Sequence, residues 1–73
     1  MRYFVAANFD EANKFAKKAN LGPSTYIWVH DPIQLKGLRG IVLECLPGYI
    51  DLYGFHELYS VALSRNIKME KAK

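Results

Sequence analysis

Apolar positions along the chain follow two different periods, and their alternation predicts strands that alternate with helices. Short runs rich in β-branched and aromatic residues predict strands at residues 2–7, 25–29, 41–46 and 67–70. The run TYIWV at 25–29 is nearly continuous in apolar character. This is typical of a strand that is covered on both faces of a parallel sheet.

Two amphipathic helices are predicted between these strands. Asn8 can cap the free amides at the start of the first helix, and Glu11 suits the positive end of its dipole. The apolar stripe of this helix, spaced i, i+3, i+4, i+7, consists of Ala12, Phe15, Ala16 and Ala19. The second helix should begin between residues 51 and 55. Its stripe consists of Phe55, Leu58, Tyr59, Ala62 and Leu63.

The resulting order β-α-β-β-α-β favours the α/β class, as a small three-layer Rossmann-like or P-loop-like domain with a mainly parallel four-stranded sheet. The loop at residues 32–40 is short for a parallel crossover, which needs roughly a dozen residues or more. An α+β fold with strands two and three antiparallel is therefore the alternative. We expect one domain at residues 1–70 and a frayed basic tail at 71–73.

Composition narrows the class of protein. The chain has 73 residues, 51% of them apolar and 23% charged, which is typical of one folded domain. A core of this size seldom supplies more than about 3–5 kcal/mol, so we expect a homo-oligomer or docking on a larger partner. Cys45 is the only cysteine, and no apolar run approaches the ~20 residues that cross a bilayer. A cytoplasmic protein without membrane contact is expected.

Three segments carry a resemblance to a known family: FVAANFDEA at 4–12, WVHD at 28–31 and LRGIVLE at 38–44. They resemble parts of a P-loop NTPase core of the phage terminase or helicase kind. The whole chain is also similar to small single-domain proteins encoded by bacteriophages. The resemblance implies a nucleotide-enzyme scaffold, and the host cytoplasm as the location.

The chain lacks the motifs that carry out the chemistry of that family. The phosphate-binding motif GxxxxGK[ST] is absent, so the lysine and hydroxyl that hold triphosphate and magnesium are missing. Glu44 lies near the position of the acidic strand residue, but Cys45 follows it where a second acidic residue is expected. No hydrolytic triad or metal-ligand cluster is evident either. We therefore expect no cofactor, no metal and no enzymatic activity.

Binding of a partner is the function that the residues favour. Tyr49 and Tyr53 lie between a strand and a helix, where exposed aromatic residues are typical of interfaces. Lys36 and Arg39 lie on the glycine-flanked loop LKGLRG, a suitable place to meet a carboxylate or phosphate. The first hypothesis is a recognition module that self-associates and binds or inhibits a host protein through these four residues.

Two alternatives remain open. A nucleotide or another anionic small ligand could bind at the carboxyl ends of the strands, among Asn8, His30, Asp31 and Arg39. Nucleic acid could bind the outer face of the first helix, whose basic residues are Lys14, Lys17 and Lys18. The net charge of +3 is too small to decide between these partners. Glu44, the one charge within its strand, is expected to pair with Arg2 or to lie at an exposed position.

Overall fold

The computed structural model describes residues 1–72 and contains a single sheet of four strands. The strands are β1 (Arg2–Val5), β2 (Tyr26–Trp28), β3 (Val42–Cys45) and β4 (Lys68–Lys71). Their order in the sheet is β2-β1-β3-β4, and every neighbouring pair is parallel. The predicted α/β class with a parallel four-stranded sheet is confirmed.

Two helices connect neighbouring strands of the sheet. Helix α1 (Phe9–Lys18) links β1 to β2, and α2 (Phe55–Ser64) links β3 to β4. Each helix is followed by an asparagine in the left-handed conformation, Asn20 with φ 59° and Asn66 with φ 56°. Asparagine tolerates this conformation, which ends a helix sharply. Among residues 1–72, no helix combines the length and apolar character needed to cross a membrane.

The connection from β2 to β3 contains a 3₁₀ turn at Pro32–Leu35. Residues 29–41 are available for this crossover, which meets the roughly dozen residues that a parallel connection requires. Because β1 lies between β2 and β3, those two strands do not pair. The antiparallel alternative is therefore wrong, and the chain crosses the sheet through an irregular segment with one 3₁₀ turn.

The sheet is buried between two apolar layers, since alternate residues of each strand face opposite sides. The layer under α1 consists of Phe4, Ala6, Ala12, Ala16, Tyr26 and Leu46. The layer under α2 and the crossover consists of Val5, Val29, Leu35, Leu43, Cys45, Leu52, Leu58, Ala62 and Ile67. The fold is thus the predicted three-layer arrangement.

The charge within β3 has the predicted partner. Arg2 Nε donates to Glu44 Oε2 at 2.9 Å, and the guanidinium makes a second bond to Oε1. The hydrogen bonds that Arg2 donates to Glu44 raise the pKa of Arg2. Both side chains remain partly exposed, so the pair contributes little stability but leaves no buried charge unpaired.

The end of the chain is more ordered than the predicted tail at 71–73. Strand β4 continues through Lys71, and the Ala72 amide donates to the Cys45 carbonyl at 2.9 Å. The sheet thus extends two residues beyond the predicted domain limit at 70. The remaining tail residue, Lys73, lies outside the described residues.

Candidate functional site

The carboxyl ends of the parallel strands meet at one side of the sheet, here called the carboxyl edge. Both helices begin at this edge and end at the opposite side, the amino edge. Among the predicted site residues, Asn8 follows β1, His30 and Asp31 follow β2, and Tyr49 follows β3. The topology therefore brings these four residues to the carboxyl edge, as expected for a parallel sheet.

A crevice lies between the ends of β1 and β3, where the order of the strands reverses. The Glu11 carboxylate fills it: Oε1 accepts from the Ala7 amide at 2.9 Å, and Oε2 accepts from the Gly48 amide at 2.8 Å. Asn8 caps α1 as predicted, because its side chain accepts from the Glu11 amide at 2.9 Å. A Cβ at position 48 would lie 2.6 Å from Glu11 Oε1. Ala7, Glu11 and Gly48 are called the closed crevice below.

The closed crevice is the place where an open α/β sheet usually binds its ligand. Amides at strand ends and helix starts commonly hold a phosphate there. In this chain the two amides donate to an internal carboxylate instead. A phosphate would have to displace Glu11 and would be repelled by its charge. The crevice therefore serves to tie α1 to the ends of β1 and β3.

A second opening, here called the aromatic pocket, lies between the end of β2 and the start of α2. It encloses about 360 Å³, and its lining residues are Ala7, Trp28, His30, Asp31, Pro32, Leu52, Tyr53, Gly54 and Glu57. Trp28 is held in place because its indole N–H donates to the Ala6 carbonyl at 3.2 Å. The His30 ring lies 4.3 Å from the indole, centroid to centroid. Trp28 and the buried Leu52 make the floor apolar.

The rim of the aromatic pocket is polar and exposed. Tyr53 is 97% exposed, so its ring makes almost no contact with the domain. Gly54 follows with φ 80°, a left-handed conformation that turns the chain into α2 at little cost. Asp31 and Glu57 add two carboxylates, and neither forms an ion pair with any side chain of residues 1–72. The pocket thus combines an apolar floor with an exposed phenol and negative charge.

Gln34, in the crossover turn, holds the wall of this pocket. Its side-chain oxygen accepts from the amides of His30 and Asp31 at 2.7 and 2.9 Å, and its nitrogen donates to the Trp28 carbonyl at 3.2 Å. Asp31 in turn accepts from the Ile33 amide at 3.0 Å. This reciprocal capping box fixes the backbone at the end of β2.

The two tyrosines predicted at an interface have different surroundings. The Tyr49 ring packs edge-on against Phe55 at 5.2 Å and contacts the core under α2. Tyr53 lies free at the rim of the aromatic pocket. We therefore assign Tyr49 to the packing of the fold and Tyr53 to the accessible surface.

The predicted basic loop lies away from the aromatic pocket. The crossover leaves the carboxyl edge after Asp31 and returns the chain to the start of β3 at the amino edge. Lys36 and Arg39 follow the 3₁₀ turn on this path. The structure does not bring them together with His30, Asp31 or Tyr53, as the hypotheses that combine these residues require.

The lysines predicted to contact nucleic acid lie along the exposed side of α1. Lys14 pairs with Asp10 at 3.1 Å on the surface. Lys17 and Lys18 lie in the last turn of α1, beside the amino edge. There they suit the negative end of the helix dipole.

Several residues of the two openings are absent from the sequence-based site. Glu11 is assigned to the helix start from its spacing, and nothing local reveals its bond to Gly48, 37 positions away. Gln34 could have been found, because a glutamine three residues after Asp31 is a capping-box signal. Glu57 carries no such signal, since it reaches the pocket only through the packing of α2 against the crossover turn at Pro32–Leu35.

Cys45 lies in the apolar layer under α2. Burial raises the pKa of its thiol, so the side chain is protonated at neutral pH and is a poor nucleophile. Within residues 1–72, no three His, Cys, Asp or Glu side chains are grouped as metal ligands would be.

Comparisons of the chain with protein-family models, curated proteins and solved structures found no match. We therefore infer function from the aromatic pocket and the charges around it.

Proposed function

We propose that this protein is a non-enzymatic recognition module that binds a partner protein by taking a lysine or arginine side chain into the aromatic pocket. The observation that carries the proposal is the exposed Tyr53 over the apolar floor made by Trp28, beside the carboxylates of Asp31 and Glu57, which have no ion-pair partner within residues 1–72.

A basic side chain fits each part of this pocket. Its methylene stem can pack on the apolar floor while its charged group stays near solvent. The Tyr53 ring attracts a cation through its π face. Asp31 and Glu57 accept hydrogen bonds from the cation, and an arginine can bond a carboxylate with two parallel N–H groups.

The charge around the carboxyl edge favours the same partner. Five of the seven acidic residues follow β1, β2 or β3 or lie in the first turn of a helix. They are Asp10, Glu11, Asp31, Asp51 and Glu57. Asp10 is paired with Lys14, and the carboxylates that remain attract basic groups and repel phosphate. We therefore prefer a basic protein segment to the nucleotide that was the second hypothesis.

A host protein is the partner to be tested first if the chain is phage-encoded, as its resemblance to small phage proteins implies. The mechanism would be occlusion of a basic site on that partner. Tyr53 would supply the exposed aromatic anchor, a residue type enriched at the centres of interfaces.

The experiment titrates the protein with a blocked Gly-Arg-Gly tripeptide and follows the fluorescence of Trp28, the only tryptophan. Blocked Gly-norleucine-Gly and Gly-Glu-Gly serve as control ligands. We expect saturable quenching by the arginine peptide alone. Asp31→Asn, which keeps the cap on Ile33, and Glu57→Gln should each weaken binding about two- to fivefold, as loss of an exposed ion pair does.

The matched control is Asp51→Asn, which removes a charge from the same edge outside the lining of the pocket. It should change the affinity less than either pocket variant does. Equal quenching by the glutamate peptide, or unchanged affinity in both pocket variants, would contradict the proposal.

Binding of a polyanion at the amino edge is a second candidate function. The last turn of α1 and the end of the crossover bring Lys17, Lys18 and Arg39 toward the same end of the molecule. Titration with a single-stranded oligonucleotide tests it, because contacts with phosphates make affinity fall steeply as salt rises. Binding that is independent of salt, or unchanged by Lys17→Gln together with Lys18→Gln, would count against it.

A further inference from the structure

The outer backbone of β4 is available for hydrogen bonding. The Ala72 amide donates to the Cys45 carbonyl, so Ala72 faces β3, and the alternation of a parallel ladder makes Glu70 and Lys68 face β3 as well. The N–H and C=O groups of Met69 and Lys71 therefore point outward. In the order β2-β1-β3-β4, no strand within residues 1–72 covers them.

By comparison, the outer backbone of β2, at the opposite edge of the sheet, is partly hydrogen-bonded. On β2 the Val29 amide donates to β1, so the outward groups belong to Tyr26 and Trp28. Gln34 bonds the Trp28 carbonyl, and β2 is only three residues long. A short strand whose backbone is partly bonded is a common protection against edge pairing. On β4, by contrast, the outward N–H and C=O groups of Met69 and Lys71 make no hydrogen bond within residues 1–72.

Two side chains of β4 carry charges that have no ion-pair partner in the described part of the chain. Lys68 and Glu70 project on the same side of the sheet, and neither forms an ion pair within residues 1–72. Glu70 lies directly beside Glu44 of β3, a residue of the same charge. The exposed edge therefore presents a positive and a negative position, two residues apart, on one face.

Two copies of β4 can pair antiparallel about a two-fold axis that passes through one residue of the strand. Such a pairing keeps each face of the sheet continuous. The axis can pass through any of the first three residues of β4, which gives three registers. Centring on Lys68 places Lys68 opposite Lys68, and centring on Glu70 places Glu70 opposite Glu70. Centring on Met69 places Lys68 opposite Glu70 twice. The outward backbone of Met69 also makes Met69–Met69 the hydrogen-bonded pair. The two charge pairs then fall at the closer, non-hydrogen-bonded positions.

We propose that a second copy of this chain pairs with β4 in this register, forming a two-fold symmetric dimer with one continuous eight-stranded sheet. Opposite charges directly across an antiparallel pair are stabilising and like charges are destabilising, so the charges select the Met69-centred register. The interface is isologous, as in most homodimers.

Apolar side chains flank this edge on the α2 side. The α2 stripe predicted as core is split, because Leu58 and Ala62 are buried whereas Tyr59 and Leu63 are 44% and 58% exposed. Both exposed residues line a cavity of about 510 Å³ beside β4 that Met69 also lines. In the dimer this surface continues across the two-fold axis and supplies apolar area beside the paired backbones.

Charge reversal tests the register. Sedimentation equilibrium of the full chain over a broad concentration range should show a reversible monomer–dimer equilibrium. Lys68→Glu and Glu70→Lys each turn the two opposite-charge pairs into two like-charge pairs. Each should therefore weaken the dimer by at least about tenfold. The double variant K68E/E70K restores opposite pairs and should recover most of the wild-type affinity. Lys17→Glu, on the distant exposed side of α1, is the control for net charge.

A second readout reports on the backbone. Hydrogen exchange of the Met69 amide should slow as concentration rises through the dimer range, while the amide of exposed Lys17 serves as a reference. A wild-type monomer at all concentrations would overturn the proposal. So would equal weakening by K68E and K17E, a double variant without recovery, or a Met69 amide that exchanges equally fast in the dimer. Tyr53→Ala should leave dimerisation unchanged, which separates this inference from the proposed function.

Discussion

The closed crevice and the aromatic pocket lie side by side at the carboxyl edge, and Ala7 contributes to both. In the crevice, the two amides that could hold an anion already donate to Glu11. In the pocket, the carboxylates of Asp31 and Glu57 have no ion-pair partner within residues 1–72. The carboxylate of the crevice is used within the fold, whereas Glu57 and the second oxygen of Asp31, which caps Ile33 with the first, remain available to a ligand.

This difference identifies the kind of ligand that the edge can bind. A parallel sheet normally offers amide donors to an anion at the reversal of strand order. Here that role is taken by a side chain of the protein, and the accessible groups are acceptors and an aromatic ring. The scaffold is Rossmann-like, but the open pocket that we propose as its binding site would prefer a cation to a phosphate.

Gly48→Ala should have the largest effect, because it acts on the closed crevice. The added Cβ would lie 2.6 Å from Glu11 Oε1 and would force the carboxylate away from both amides. The backbone of Gly48, at φ −87°, suits alanine, so the loss comes from the contact. The cost is that of leaving the two amides without their acceptor, so we expect the free energy of unfolding to fall by about 1–3 kcal/mol, measured by urea denaturation.

Gly22→Ala is the control for that variant, since nothing lies within 4 Å of the new Cβ and its φ is not left-handed. Its stability should be unchanged or slightly higher. Equal stability of the two variants would show that the crevice is not tightly closed.

Glu11→Ala should have the next largest effect. It leaves the partly buried amides of Ala7 and Gly48 without their acceptor, and an unsatisfied group of this kind costs about 1–3 kcal/mol. Glu57→Ala removes the same side chain from the rim of the open pocket and should change stability by less than about 0.5 kcal/mol. Thermal unfolding of both variants checks the contrast. A larger loss for Glu57→Ala would reverse the assignment of the two openings.

The two tyrosines extend the comparison from polar groups to aromatic ones. Tyr49→Ala removes a ring packed on Phe55 and should lower stability by about 1–2 kcal/mol. Tyr53→Ala removes a ring that is 97% exposed, so stability should be unchanged while binding of the arginine peptide weakens. Parallel measurements of unfolding and of Trp28 quenching separate the two effects. Loss of stability in Tyr53→Ala would show that it belongs to the packing.

The smallest expected effect is the pH dependence that comes from Cys45. Burial raises the pKa of this thiol above its ordinary value of 9.0, so the unfolded state loses the proton at lower pH than the folded state does. The contribution of the protonated Cys45 thiol to the free energy of unfolding is therefore complete below pH 9. It decreases as pH rises toward the higher pKa of the folded state. Denaturation of wild type and Cys45→Ala between pH 7 and pH 10.5 measures the difference. Stability of wild type that rises with pH relative to Cys45→Ala would contradict it.

Local patterns were sufficient to predict the elements of this fold. The stripe that contains Ala12 and Ala16, the cap at Asn8 and the continuous run at residues 25–29 act over a few positions each. The strand order was harder, because the crossover at 29–41 contains only one 3₁₀ turn and lacks a helical period. The antiparallel alternative failed because that segment is long enough to cross the sheet.

The candidate site was predicted less completely, because its contacts join distant positions. His30 and Asp31 were identified from the rule that ligands lie at strand ends. Glu11 and Gly48 meet across 37 positions, and nothing near either residue in the sequence reveals the contact. Tyr49 and Tyr53 look alike in sequence, and only the packing of α2 determines that the Tyr49 ring is partly buried and the Tyr53 ring is exposed.

The most direct test of this account compares both openings in one titration by amide and indole NMR. On addition of the blocked arginine tripeptide, the Trp28 indole and the Tyr53 and Gly54 amides should shift, while the Gly48 amide should not. Inorganic phosphate should shift none of them. Phosphate-dependent shifts at Ala7 and Gly48, with no response of Trp28 to the arginine peptide, would contradict the assignment of a closed crevice and an open pocket for cations.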